Sequence, residues 1–492
     1  MRIAFVLILV SLLAVSAAAG GSGLTDAVKA GDVQKVRALI KQKANVNELE
    51  PDGMTALHWA VRADQVETAQ LLLRSGANVK AANRYGVTPI SLAATNGNAA
   101  MVDMLLKAGA DPNTAMPEGE TVLMTAARAG NADAVKSLIA RGANVNATEK
   151  WQDQTALMWA AAENHPGVIK ALVEAGADMN LHSKVLSFPE YKYETNGMAV
   201  FILPRGGWTA LMYAARQNST AAAAMLADLK ADMNAVDADG TTALELSIIN
   251  LHYDLASLLL NKGADPNIGD NSGMTALYAA VDMRAPANMM TRPDPKLRAE
   301  IDAAGMVKVL LAHGANPNLR LKKPIIGRHN NLVGDTQMGD GATPLMRAAK
   351  ANDLQILRLL LDGGADPSIP LKDRTTTAMI ATSVDAIKLL VDRGVDVRAF
   401  NSNGQTLLHS AAGRGSAAII QYAVERGARL DARDKQGRMP LDIAQGGGGG
   451  GGRGAGGAGA RGGGGRGNAE ATTLLRDLMA KNGIPVPAAP SR

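Results

Sequence analysis

Seven histidines, 46 carboxylates and no cysteine are the residues from which this chain of 492 could build reactive chemistry. A metal site on a helix needs ligands about four residues apart, and His58, His165, His182, His252, His313, His329 and His409 form no such pair. The lack of Cys removes disulfides, thiolate metal sites, covalent haem attachment and a cysteine lipid anchor together. Asp and Glu are spread over turns and solvated helix faces, and neither a nucleophile elbow nor a phosphate-cradling loop can be read. The chain is therefore read as a non-enzyme with no cofactor, no metal and no small-molecule substrate.

The side chains that remain suit adhesion. Of four Trp, seven Tyr and four Phe, eight lie between Trp151 and Tyr213. A second stretch carries Arg320, Lys322, Lys323, Arg328 and His329, with acids only at Asp335 and Asp340. Trp, Tyr and Arg are the side chains most enriched at binding hot spots. A net charge of +5 over this length is too small to argue for nucleic acid or an anionic membrane.

These side chains need elements to hold them, and the elements repeat. A Thr followed by small-Leu-polar recurs as Thr55-Ala-Leu-His58, Thr88-Pro-Ile-Ser91, Thr121-Val-Leu-Met124, Thr155-Ala-Leu-Met158 and Thr209-Ala-Leu-Met212. It returns at Thr242, Thr275, Thr343, Thr377 and Thr406, mostly 33 residues apart. About 20 residues after each Thr comes a second signature, such as Gly76-Ala-Asn78, Gly109-Ala-Asp111, Gly263-Ala-Asp265 and Gly364-Ala-Asp366. Thr is a good N-cap, and Pro89, Pro344 and Pro440 stand at the first helical position, where the missing N–H costs nothing. Leu-rich runs such as Leu71 to Leu73 end at a Gly able to take the left-handed cap conformation. Each unit thus reads as turn, helix, loop, helix. Lys230 stands where other units have Gly, so that cap is expected to be weak.

The paired signatures resemble the ankyrin repeat, with its T-P-L-H and G-A-D elements, and the chain is similar to bacterial exported ankyrin-repeat proteins. The resemblance implies an all-α solenoid of helix-loop-helix units with short β-turn fingers, about eleven units over residues 24–445. It also implies a binding face on the fingers and first helices. The residues so placed here include Arg62, Tyr85, Arg128, Trp151, Glu163, Trp208, Arg216, Met274 and Arg414. Trp59 and Trp159, at a position usually held by Leu, are read as core. His58 and His409 occupy the motif's own His, a turn-bracing hydrogen bonder.

Departures from the 33-residue period are where one such array differs from another. Thr155 to Thr209 spans 54 residues, which puts a finger insertion at 181–205 carrying Phe188, Tyr191, Tyr193 and Phe201. Thr275 to Thr343 spans 68, divided between an inter-helix insertion at 284–302 and the basic finger at 320–339. Thr377 to Thr406 spans only 29. The aromatic finger, Trp151 and Trp208 are expected to anchor a protein partner, with Lys322 and Lys323 steering it.

At the ends, Met1 and Arg2 precede an apolar run closed by Ala17 and Ala19, the pattern of a cleavable signal peptide over residues 1–19. No other stretch reaches the ~20 apolar residues of a membrane helix, so no membrane span is expected in the mature chain. A Gly-rich segment at 446–467 is read as a flexible linker, and residues 468–483 as a capping helix with Leu474, Leu475, Leu478 and Met479 on one face, before a disordered tail at 484–492. The expected function is a protein-binding scaffold in the periplasm or outside the cell. Alternatives are recognition of an envelope polysaccharide by the aromatic finger, or of nucleic acid by the Gly/Arg segment.

Overall fold

A computed structural model describes residues 23–186, 206–284, 300–323, 325, 338, 340–446 and 466–486, and shows an all-α repeat solenoid. Twenty-four helices lie among these residues and pair off as twelve helix-loop-helix units. The chain divides into two compact units, one of Met1–Lys184 with Gly206–Asp232 and one of Val185–Arg205 with Met233–Arg492.

Local chemistry starts and stops each helix. The side-chain oxygen of Thr55, Thr88, Thr121, Thr155 and Thr209 accepts the amide N–H three residues on at 3.2–3.4 Å, satisfying one of the first-turn donors. At the far end of Val66–Arg74, Gly76 has φ of 88°, and the N–H groups of Gly76 and Ala77 return to the Leu73 and Leu72 carbonyls. Lys230 takes the same conformation at φ of 70° without a glycine's freedom.

In the first compact unit the helices Ala56–Arg62, Pro89–Asn96, Val122–Arg128, Ala156–Ala162 and Ala210–Gln217 stack in succession. Fully buried Leu57, Leu72, Leu123, Leu138, Leu157 and Leu172 fill the space between them and the second helices, with alanines where backbones approach closely. Burying each such Leu is worth about 2–3 kcal/mol, so the stack rests on the small and aliphatic residues that the motif repeats. In the second compact unit, Ala243–Ile249, Ala276–Asp282, Pro344–Ala351, Thr377–Ile380, Leu407–Arg414 and Pro440–Ala444 succeed one another likewise. Helix Arg466–Lys481 closes that unit by packing on the last three helices before it, with Ala471, Leu475, Leu478 and Met479 buried and Leu474 half-buried.

One register differs from the sequence reading. The capping residue of the short unit is Thr376, whose side chain accepts the Met379 N–H, and Thr377 is the first helical residue. Thr375, Thr376 and Thr377 run together, and only the cap geometry distinguishes them. The helix it starts, Thr377–Ile380, has four residues.

The units are also tied together edge to edge by asparagines two residues beyond the Gly-Ala-Asx motif. Asn146 donates from Nδ2 to the Gly176 carbonyl at 3.1 Å and accepts the Asp178 N–H at 2.9 Å. Asn47, Asn113, Asn267 and Asn318 make the same two bonds to the unit that follows.

Candidate functional site

Several fingers are tight turns whose backbone is pinned by a polar side chain of their own. Asn83 Oδ1 accepts the N–H groups of Tyr85 and Val87 at 3.0 and 2.9 Å, and Asp237 and Asp270 do the same in their fingers. In the fifth unit the role falls to Glu149, whose buried carboxylate accepts from Trp151, Gln152 and Gln154 at 2.6–3.0 Å. Neighbouring fingers are joined by single backbone bonds, among them Lys150 N–H to the Glu118 carbonyl at 2.9 Å and Lys184 N–H to that of Gln152 at 2.7 Å. The turns therefore hold large side chains out at fixed places: Trp151 is 72% exposed and Tyr85 58%.

The first helices supply the other half of this face. Arg62, Arg128 and Arg216 each stand seven residues after a capping Thr, and each lies over an indole: Arg62 over Trp59 at 5.1 Å, Arg128 over Trp159 at 4.6 Å and Arg216 over Trp208 at 4.9 Å. Such contacts hold the guanidinium in place with its edge groups still exposed. Arg128 also pairs with Glu120 at 3.2 Å, and Trp208 meets Tyr213 edge to face at 5.4 Å. Trp59 and Trp159 are thus half-buried members of this face rather than core. Their helix position buries the side-chain base, and the long ring reaches the surface where a Leu would end.

One further expectation is corrected. Met274 is fully buried, as Met54 nearly is at the same register, because the residue before the capping Thr turns inward when it is slender and apolar. Arg414 is exposed, as expected, and its guanidinium also donates to the Met379 and Ala381 carbonyls at 2.9 and 3.1 Å, capping the end of the four-residue helix. Glu163 is exposed.

Both finger insertions have closed bases. Ser183 N–H bonds the Trp208 carbonyl at 3.0 Å while Gly207 N–H bonds that of Ser183 at 3.1 Å, and Leu321 exchanges bonds with Ala342 and Gly341 at 2.9 and 2.8 Å. Phe188, Tyr191, Tyr193 and Phe201 lie outside the described residues, as do Arg328 and His329. Lys322 and Lys323 are exposed at the start of the second finger, and Lys322 lines a cavity of about 510 Å³ with Arg320, Lys372 and Arg374. The ends of the inter-helix insertion are tied by Arg284, which pairs with Asp302 and Asp353.

Four of the described histidines brace the turns and caps. His58 Nδ1 accepts the Thr55 N–H at 3.1 Å, so its Nε2–H donates to the Val87 carbonyl of the next unit at 3.1 Å, and His409 repeats this with Thr406 and Arg438. Burial lowers the pKa of both and keeps them neutral. His165 and His182 bond the Arg128 and Gly207 carbonyls. Among the described residues no group of three His, Asp or Glu is placed to hold a metal ion, and no helix is long and apolar enough to cross a membrane.

Sequence reasoning missed one feature. A cavity of about 670 Å³ is lined by Trp151 and Trp159 together with Glu118, Glu120, Glu149, Lys150, Gln152 and Gln154. The signal was available only in pieces, because residues 32 apart meet through the finger-to-finger bond.

Family profiles described as ankyrin repeats in three copies match residues 24–116, 109–183, 192–270, 230–290 and 299–401, and one for many copies matches 390–444. The chain belongs to the ankyrin-repeat family. Among curated proteins it is similar to the mouse B-cell lymphoma 3 protein homolog, 26% identical over 247 residues, covering 49% of this chain and 48% of that protein. The chicken nuclear factor NF-kappa-B p105 subunit is 31% identical over 233 residues, 46% of this chain and 21% of that one. The transient receptor potential channel subfamily A member 1 homolog of Caenorhabditis elegans is 28% identical over 218 residues, 43% of this chain and 15% of that one. The chain thus matches about half or less of the length of these relatives.

Proposed function

We propose that this ankyrin-repeat chain is a non-enzymatic protein–protein interaction scaffold, binding its partner through the fingers and first helices and acting in the bacterial periplasm or outside the cell. The observation that carries the reading is the row of arginines at one register, each held over an indole, with Trp151 and Tyr85 exposed beside them. Preordered aromatic and guanidinium groups lose little entropy on binding, which is what separates an affinity surface from ordinary exposed polar surface. Family membership supports the same class of function, and the small-residue pattern ending at Ala17 and Ala19 supports export.

The test is affinity capture with the chain from Gly20 onward, followed by binding measurements on the partner identified. Trp208→Ala weakens binding roughly tenfold or more with the fold intact. Lys322→Ala with Lys323→Ala chiefly slows association, most at low salt. Unchanged affinity in both variants removes the proposed face. Sequencing the N-terminus of fractionated protein finds it between Ala18 and Gly21; an intact Met1 in the cytosol removes the export reading.

A further inference from the structure

Trp59 and Trp159 occupy the same register, four residues after their capping threonines, yet their indole N–H groups are treated differently. Trp59 Nε1 donates to Glu50 Oε2 at 2.6 Å. The turn of the finger starts at Glu50 in that unit, whose N–H bonds the Met54 carbonyl, and at Glu149 in the other, whose N–H bonds the Gln154 carbonyl, the second finger being one residue longer. The Glu149 carboxylate is taken by the Trp151, Gln152 and Gln154 N–H groups, and the neighbouring Lys150 ammonium, which cannot accept, bonds the Pro117 carbonyl at 2.9 Å. Trp159 Nε1 is left buried with no acceptor. Buried donors are rarely orphaned, and this one belongs to a residue lining the 670 Å³ cavity, a volume typical of ligand pockets.

The rest of the lining states what kind of ligand would supply that acceptor. Of its three carboxylates, Glu149 is taken up by three backbone N–H groups, and Glu120 is shared between the Thr125 hydroxyl and Arg128. Glu118 makes no ion pair among the described residues. Arg128 over Trp159 demonstrates that a guanidinium stacks on an indole in this setting, while no cation lies over the exposed Trp151 among the described residues. A planar, weakly hydrated guanidinium on an aliphatic stem matches an open indole face beside a spare carboxylate better than a compact, strongly hydrated ammonium does. A neutral sugar could stack on Trp151 but would leave the Glu118 charge unanswered, and an anion would meet three carboxylates.

We infer that the cavity between Trp151 and Trp159 takes an arginine of a basic peptide segment, its guanidinium on Trp151 and Glu118 and a peptide carbonyl accepting from Trp159 Nε1. This rests on the protein-scaffold reading and deepens it, since it makes the partner's docking segment basic.

The probe is acetyl-Gly-Arg-Gly-amide, titrated into the full chain labelled with ¹⁵N-tryptophan. The indole resonance that disappears in Trp159→Phe identifies the reporting N–H. That resonance shifts downfield and saturates, the isosteric citrulline peptide binds roughly fivefold more weakly or worse, and Trp151→Ala abolishes the response. Glu118→Gln weakens binding by several-fold and removes most of its salt dependence. No saturable shift, equal binding of the citrulline peptide, or a response to a neutral glucan oligosaccharide but not to the arginine peptide overturns the assignment. Capture of the partner by Trp151→Ala and Glu118→Gln at wild-type affinity also overturns it, while leaving the scaffold reading intact. Loss of that partner in Trp208→Ala tests the scaffold separately.

Discussion

The asparagine edge ladder makes a stability prediction that the structure sizes. Asn146→Ala removes the Nδ2 donor to the Gly176 carbonyl at 3.1 Å and the Oδ1 acceptor of the Asp178 N–H at 2.9 Å, both between one unit and the next. A net hydrogen bond contributes about 1 kcal/mol, and these partners lie at exposed positions where water replaces part of each, so the loss is about 1 to 1.5 kcal/mol. Urea unfolding followed by far-ultraviolet circular dichroism reads it as a lower midpoint, and hydrogen exchange reads it as faster exchange of the Asp178 amide. In a solenoid the loss falls on an interface between neighbours, so the flanking units lose protection together. The second unit offers the converse, since Lys80 stands where Asn47 and Asn113 stand in their units; Lys80→Asn gains about 1 kcal/mol. An unchanged midpoint in Asn146→Ala, with Asp178 still protected, refutes the ladder as a source of stability.

Four more perturbations follow from the caps and the polar groups that bridge units. Gly263, at φ of 97°, has open space where a side chain would begin, so Gly263→Val costs about 1–2 kcal/mol through the backbone alone, whereas Lys230→Gly gains about 0.5–1 kcal/mol; urea midpoints check both. His58 and His409 have folded pKa values below the unfolded 6.5, so their stabilisation is full above that value and is lost as pH falls through the lowered folded ones. The unfolding midpoint accordingly drops between pH 7.5 and pH 5, and by less in His58→Ser with His409→Ser, since Ser91 already fills this register in another unit; an equal drop in both proteins contradicts the assignment. Arg414→Met strips the Met379 and Ala381 carbonyls of their donors and costs about 2 kcal/mol, visible in hydrogen exchange of Val384–Val391.

Most of the fold was legible because each helix start and stop has a local cause. Thr121 caps, Pro89 presets the first turn and Gly109 reverses the chain whatever lies elsewhere, so a period of 33 could be read directly. Legibility failed where the cause is not local. Thr376 and Thr377 are equivalent as letters and differ only in which oxygen meets the Met379 N–H. Trp159 at a leucine position reads as core, since sequence gives the direction of the Cβ and not how far a bicyclic ring extends past it. Met274 and Trp208 share a register, and shape alone decides that one is sealed and the other half-open. The cavity is the extreme case, for Glu118 and Trp151 meet only once Lys150 N–H has found the Glu118 carbonyl.

The same geometry explains how the two finger insertions are accommodated. The ladder, the Thr caps and the His braces all lie within units or between adjacent ones, so a segment can lengthen a finger without breaking any of them provided the finger's base remains paired. The reciprocal bonds of Ser183 with Gly207 and Trp208, and of Leu321 with Gly341 and Ala342, keep it paired. Loop-closure entropy then grows only with the logarithm of length, so extending a turn of about five residues to about 25 costs roughly 1.5 kcal/mol, little against a stack of buried leucines. Trp208 and Lys322 stand at those bases, where rigid stack meets inserted chain. Both side chains sit on backbone whose pairing belongs to the solenoid, so the binding tests proposed for Trp208 and Lys322 are expected to leave the repeats themselves intact.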